Sequence, residues 1–191
     1  YNVWVGNTLN SDGGQIAGGF NPLTSFAERY GFSGVKIKAR EEFWSFVTMH
    51  PLVFIRLCVV RCIRYFSLIR PMGFWFYQAA LPQLVFVASS AASIAVLFVT
   101  GFSGLVFAFK ERRAVVYYLA ALAATAPLAL LPTVVQSRYR FQLYPFLALF
   151  AGYAIVYWAA NKGWWKQKAF WIPTVLLLAI SALDAFLNSA L

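Results

Sequence analysis

Acidic residues are scarce in this chain: six Asp and Glu stand against sixteen Lys and Arg, for a net charge of +10. Histidine occurs once, as His50, and cysteine twice, as Cys58 and Cys62. A metal centre needs several oxygen, nitrogen or sulfur donors converging on one point, and so thin a supply offers no ligand set. Cofactors therefore stay unknown, including any divalent metal in a full-length protein. Cys58 and Cys62 lie four apart in a helical pattern, on one face, where a disulfide would have poor geometry; they read as small buried hydrophobes. Gly6, Gly13, Gly14, Gly18 and Gly19 are not followed by Gly-Lys-Ser/Thr, nor are they spaced as a dinucleotide fingerprint. They read as turn and loop chemistry. No N-x-Ser/Thr sequon is present, so glycosylation marks no side of a membrane.

Charge of either sign is sparse, at 12% of residues against 61% hydrophobic, with a mean hydropathy of +0.67. A soluble domain carries about 45–50% apolar and about 25% charged residues. The chain is thus an all-α, multi-pass integral membrane protein. In a soluble protein the basic excess would point to nucleic acid. Here the basic residues gather at the ends of apolar runs and on one amphipathic segment. Membrane lipid, anionic lipid above all, is the partner they fit, and no nucleic acid is expected.

Residues 1–78 read as an extracytoplasmic segment. A Gly-rich loop runs over 1–34, and a short helix over 39–50 carries Glu41 and Glu42 in its first turn, where the macrodipole favours acid. Pro51 then opens a second helix. In 51–66 the polar exceptions are Arg56, Arg61 and Arg64, which fall within an arc of about 140°. A run so short, basic on one side, fits an interfacial amphipathic helix anchored to headgroups better than a span. Residues 79–191 read as a bundle of four transmembrane helices, about 81–108, 114–134, 142–160 and 171–190. The second holds Pro127, Pro132 and the small residues of "AALAATAPLA", which predict close packing on a neighbour. Trp164, Trp165 and Trp171 mark a headgroup boundary. Asp184 would be costly alone in the last span, so it belongs near a helix end or beside a partner.

The loops at 110–113 and 161–168 hold six Lys and Arg, and "SRYR" (137–140) holds two. The positive-inside rule puts the first two loops in the cytoplasm, and "SRYR" outside with residues 1–78. Two readings exist for Arg138 and Arg140 at that turn. They clamp a lipid phosphate, for which the planar fork of arginine is suited, or they snorkel to the interface. His50, between two helices, reads first as a hydrogen-bonded structural residue.

"VWVGN" followed by a Gly-rich loop, a helix ending "MHP", a basic amphipathic helix and "SRYRFQLYPFLALFAGYAI" at the head of a late span occur here in that order. This order resembles the later part of GT-C polytopic glycosyltransferases, the bacterial relatives of protein O-mannosyltransferases and of the lipid A aminoarabinose transferase. The resemblance covers most of residues 1–160. It implies a transferase of the bacterial inner membrane that passes a sugar from a polyprenyl-phosphate donor to an extracytoplasmic acceptor. On that reading Arg138, Tyr139 and Arg140 bind the lipid phosphate, with His50, Arg56, Arg61 and Arg64 as secondary candidates. None of Asp12, Glu28, Glu41 and Glu42 matches the family's catalytic carboxylate, so no catalytic residue is assigned in this chain. The opening "YNVWVGN", without Met, reads as the later portion of a longer protein, whose remaining N-terminal part or a partner subunit would supply the base. Two alternatives come from other classes: a non-catalytic membrane subunit packing beside a partner, and a transporter or channel fragment.

The loop charges generate a topology prediction. A cysteine at Gly163 should be labelled only from the cytoplasm, and one at Ser137 only from outside, by impermeant maleimide. Labelling of both from one side would overturn the hairpin order.

Overall fold

The computed structural model describes residues 6–9, 11, 22–68, 81–135 and 137–189, and among them it forms helices and turns with no strand. The helices are α1 Pro22–Met49, α2 Pro51–Phe66, α3 Leu81–Lys110, α4 Ala114–Leu130, α5 Tyr144–Ala160 and α6 Lys168–Ser189. Short 3₁₀ turns occupy Ser137–Gln142 and Trp164–Lys166. The chain divides into two compact units. The first holds residues 1–62 and 128–136; the second holds 63–127 and 137–191.

In the first unit, α1 begins at Pro22, well inside the stretch expected to be loop through residue 34, and it replaces the short helix expected at 39–50. Gly31 explains the difference. It takes φ 70°, ψ 171° and joins two helical pieces, so a glycine that reads as a loop signal serves here as a kink. Lys38 and Glu42 add an i,i+4 pair at 2.6 Å on the exposed face. At His50–Pro51 the axis turns by 105°. Pro51 disfavours helical geometry in the residue before it, while its own missing N–H is harmless in the first turn of α2.

The second unit is organised by α3 and α5, which run in the same direction. Phe98 meets Tyr144 with ring centroids 6.2 Å apart, and Phe107 stacks on Tyr157 at 4.4 Å. Between them, Gly101 sits against Leu147 and Gly104 against Phe150 and Ala154. Rising numbers on one helix meet rising numbers on the other. Dispersion through small residues holds such a pair where no hydrophobic drive separates protein from lipid. The small residues of α4 were expected to pack in this way, but α4 buries only Ala123 and Pro127. Close approach falls to the glycines of α3 instead, because they let its backbone reach that of α5.

Two helices, Leu81–Lys110 and Lys168–Leu187, are long and apolar enough to cross a membrane, and the bent pair Ala27–Met49 and Pro51–Phe66 would make a third as one broken span. The second and third expected spans are shorter than drawn, at 17 residues each. Pro132 explains the first of these, since α4 stops at Leu130 and the chain turns. The fourth starts earlier than expected, at Lys168, and Pro173 is accommodated within its first turns.

A methyl group on Gly104 would lie 1.9 Å from the Phe150 carbonyl oxygen, whereas one on Gly152 would meet nothing within 4 Å. Gly104→Ala should therefore destabilise the bundle by about 3 kcal/mol, and Gly152→Ala should be neutral or slightly stabilising. Thermal unfolding of both variants in the same detergent checks the contrast.

Candidate functional site

The arginines of α2 do not sit as an interfacial helix requires. Leu52, Ile55 and Val59 are exposed, with Leu52 at 80%, whereas Arg61 is 0% and Arg64 4% exposed. The helix is inverted in part: Leu52, Ile55 and Val59 face outward with Arg56, while Arg61 and Arg64 face inward beside Leu57 and Tyr65. Arg61 and Arg64 therefore cannot serve as headgroup anchors; Arg56 alone remains exposed. The physical reason is that an arginine buried against carbonyl acceptors avoids the penalty of facing hydrocarbon, while leucine and valine suit lipid.

In the first unit Arg61 is held by three acceptors. Its Nη1 donates to Asn7 Oδ1 at 3.0 Å and to the Leu131 carbonyl at 3.0 Å, and its Nη2 donates to the Gly6 carbonyl. Asn7 Nδ2 in turn donates to the Pro132 carbonyl at 2.8 Å. Leu131 and Pro132 follow the end of α4, where carbonyls lack intrahelical partners and the macrodipole attracts a cation. Gly6 is required by space: a methyl group there would lie 2.4 Å from the Thr133 carbonyl oxygen and 2.7 Å from Val134 Cγ2. The turn and loop reading of the glycines holds at Gly6, which lies in a turn, though one buried beneath a guanidinium. Gly13, Gly14, Gly18 and Gly19 lie outside the described residues.

In the second unit Arg140 is 1% exposed and donates through Nη2 to the Arg64 carbonyl, in the last turn of α2. The "SRYR" turn and the end of the arginine-bearing helix are thereby brought together. Arg140 also acts electrostatically on Tyr65 and Tyr144. The hydroxyls of both tyrosines are buried with no hydrogen-bond partner among the described residues. Near them, Leu68 N donates to Ser181 Oγ at 2.9 Å, tying the chain after α2 to α6. Asp184, one turn beyond Ser181, is buried; it, Arg64 and Arg140 each take part in further interactions.

Of the other expected site residues, Tyr139 is half-buried in the same turn, and the side chain of Arg138 lies outside the described residues. His50 is half-buried at the bend, its ring 5.8 Å from that of Phe46. Cys58 and Cys62 are free thiols. Sequence reasoning missed Tyr65, Tyr144 and Asn7 as polar groups of the interior. The signal for Asn7 was its place in "VWVGN"; the tyrosines carried none, since a tyrosine beside an arginine is common at any membrane boundary.

Comparison with protein families, with curated proteins and with solved structures finds no match for this chain.

Removing Asn7 takes one acceptor from a buried guanidinium and one donor from a helix-end carbonyl. Asn7→Ala should cost about 2–3 kcal/mol in a detergent unfolding assay. Arg56→Ala, on the exposed side of the same helix as Arg61, should stay within about 0.5 kcal/mol.

Proposed function

We propose that this chain is part of a membrane glycosyltransferase of the GT-C kind, using a polyprenyl-phosphate sugar, in which it contributes to holding the lipid phosphate. The observation that carries the reading is a buried Arg140 within electrostatic reach of two buried phenol hydroxyls, Tyr65 and Tyr144, that have no hydrogen-bond partner among the described residues. A buried hydroxyl left without a partner costs about 1–3 kcal/mol. A phosphate oxygen beside the guanidinium would satisfy both and would gain charge as the glycosyl bond breaks. Fixed donors aimed at developing charge are the largest single source of catalysis in such steps. The ordered sequence features, from "VWVGN" to "SRYRFQLYPF", support the same reading.

Depth fits as well. α5 begins at the Arg140 turn and has 17 residues, a length of about 25 Å. A hydrocarbon core is about 30 Å thick. With the basic far end of α5 at one surface, a helix of that length would bring the turn to within about 5 Å of the opposite headgroup boundary, the level at which a lipid phosphate resides. The four-span topology, the bacterial inner membrane and an acceptor outside it belong to the same proposal. A second reading, a non-catalytic membrane subunit, is favoured by α4, whose small residues other than Ala123 are exposed or only half-buried among the described residues.

Tyr65→Phe and Tyr144→Phe separate the two. Each removes a hydroxyl that bonds to no described protein group, so a subunit that only packs should lose nothing. In the full-length enzyme turnover of a polyprenyl-phosphate sugar should fall on the order of 100-fold, with unfolding unchanged. Arg138→Lys should rescue Arg138→Ala only in part, since lysine keeps the charge and loses the fork. Full activity in all of these variants would exclude the phosphate site.

A further inference from the structure

The end of the second unit opposite the Arg140 turn carries chemistry that the transferase reading leaves unused. Lys110, Arg112 and Arg113 lie at the turn between α3 and α4; Lys162, Lys166 and Lys168 lie around the turn between α5 and α6. All six are exposed. The parallel run of α3 and α5 brings both turns to one end. Contacts tie them there: Tyr157, stacked on Phe107, meets Gln167 at 3.4 Å, and Tyr153 donates to Glu111. Glu111 is the only acid in either turn, and Arg113 already pairs with it at 2.9 Å. Six cations and one acid leave a strongly positive cap.

An aromatic layer accompanies the cations. Trp158 stacks on Trp164 at 4.3 Å, and Phe170 packs edge-on against both. Trp171 Nε1 donates to the Trp165 carbonyl at 2.6 Å, which holds the second turn to α6. Trp165 and Trp171 nevertheless keep about half their surface exposed, at 53% and 52%. Lys166 lies over the Trp165 ring and Lys110 over Phe107, at 5.0 and 5.2 Å. Both turns are tight: Gly163 takes φ 90°, and Arg112 takes φ 52°, a left-handed conformation that a non-glycine residue rarely holds.

We infer that this end binds the headgroup of an anionic phospholipid, with the phosphate between the two basic turns and the acyl chains along the indoles. A water-facing acidic protein would match the charge but not the half-exposed tryptophans, whose amphipathic rings suit the boundary between headgroups and acyl chains. A zwitterionic lipid is neutral overall, because its own cation offsets its phosphate, so it gains less from a basic cap than an anionic lipid does. The arginines supply planar forks for phosphate oxygens, and the lysines supply mobile charge around them. The inference stands apart from the transferase reading, since it concerns the other end of the bundle.

The test is quenching of tryptophan fluorescence by brominated lipids, with the full-length protein in bilayers of defined composition. Brominated phosphatidylglycerol should quench more strongly than brominated phosphatidylcholine, and high salt should remove the difference. Each near-surface basic residue contributes about fivefold in affinity, so Lys110→Gln/Arg112→Gln/Arg113→Gln should weaken phosphatidylglycerol binding on the order of 100-fold. Lys162→Gln/Lys166→Gln/Lys168→Gln should do the same. If neither variant folds, the salt dependence of the unmodified protein decides. Equal quenching by the two lipids, or a preference that neither salt nor substitution alters, would overturn the site and leave an acidic protein as the ligand to seek.

Discussion

A guanidinium set among apolar helices must find acceptors, and in each unit of this chain it finds them where helices end. Arg61 takes the Leu131 carbonyl just past α4, and Arg140 takes the Arg64 carbonyl in the last turn of α2. The exchange satisfies both sides. Helix C-termini leave carbonyls unpaired and carry partial negative charge, and an apolar solvent cannot hydrate them. Arginine meets several such oxygens at once and keeps its charge when buried. The break at Pro132 creates such an end beside the buried Val134 and Val135. That end is tolerable only with donors at hand.

The rest of the second unit follows from a different contact, the approach of α3 to α5 at Gly101 and Gly104. That approach fixes the two helices in parallel, and parallel helices sort the loops by end. The Arg140 turn lies at one end, and the two lysine- and arginine-bearing turns lie at the other. One packing choice thereby separates a buried cation among tyrosines from exposed cations among tryptophans.

The all-helical character of the chain and its helices long and apolar enough to cross a membrane were legible in its sequence, because long apolar runs with sparse charge show directly in composition. The helices at 81–110 and 168–189 were legible for the same reason. Helix ends were less so. Gly31 looks like any loop glycine until its φ is known, and Pro132 inside an apolar run gives no sign of whether it kinks or stops a helix. Arg61 and Arg64 were misplaced for a deeper reason. A helical wheel gives the direction of a side chain but not which side is solvent, and in a bilayer the polar side is the inner one. The juxtaposition of Arg140 with Tyr65 and Tyr144 joins residues 75 or more apart with four or fewer, and periodicity carries no information on such contacts.

The inverted character of α2 has a consequence for how this chain tolerates change. Its outward positions, Leu52, Ile55 and Val59, ask only for apolarity, so drift among leucine, isoleucine, valine and phenylalanine should be nearly free there. Its inward positions ask for a particular shape and donor count. Across descendants of this sequence Arg61 and Arg64 should change slowly and the outward Leu52, Ile55 and Val59 fast, the reverse of the pattern by which buried cores are usually recognised.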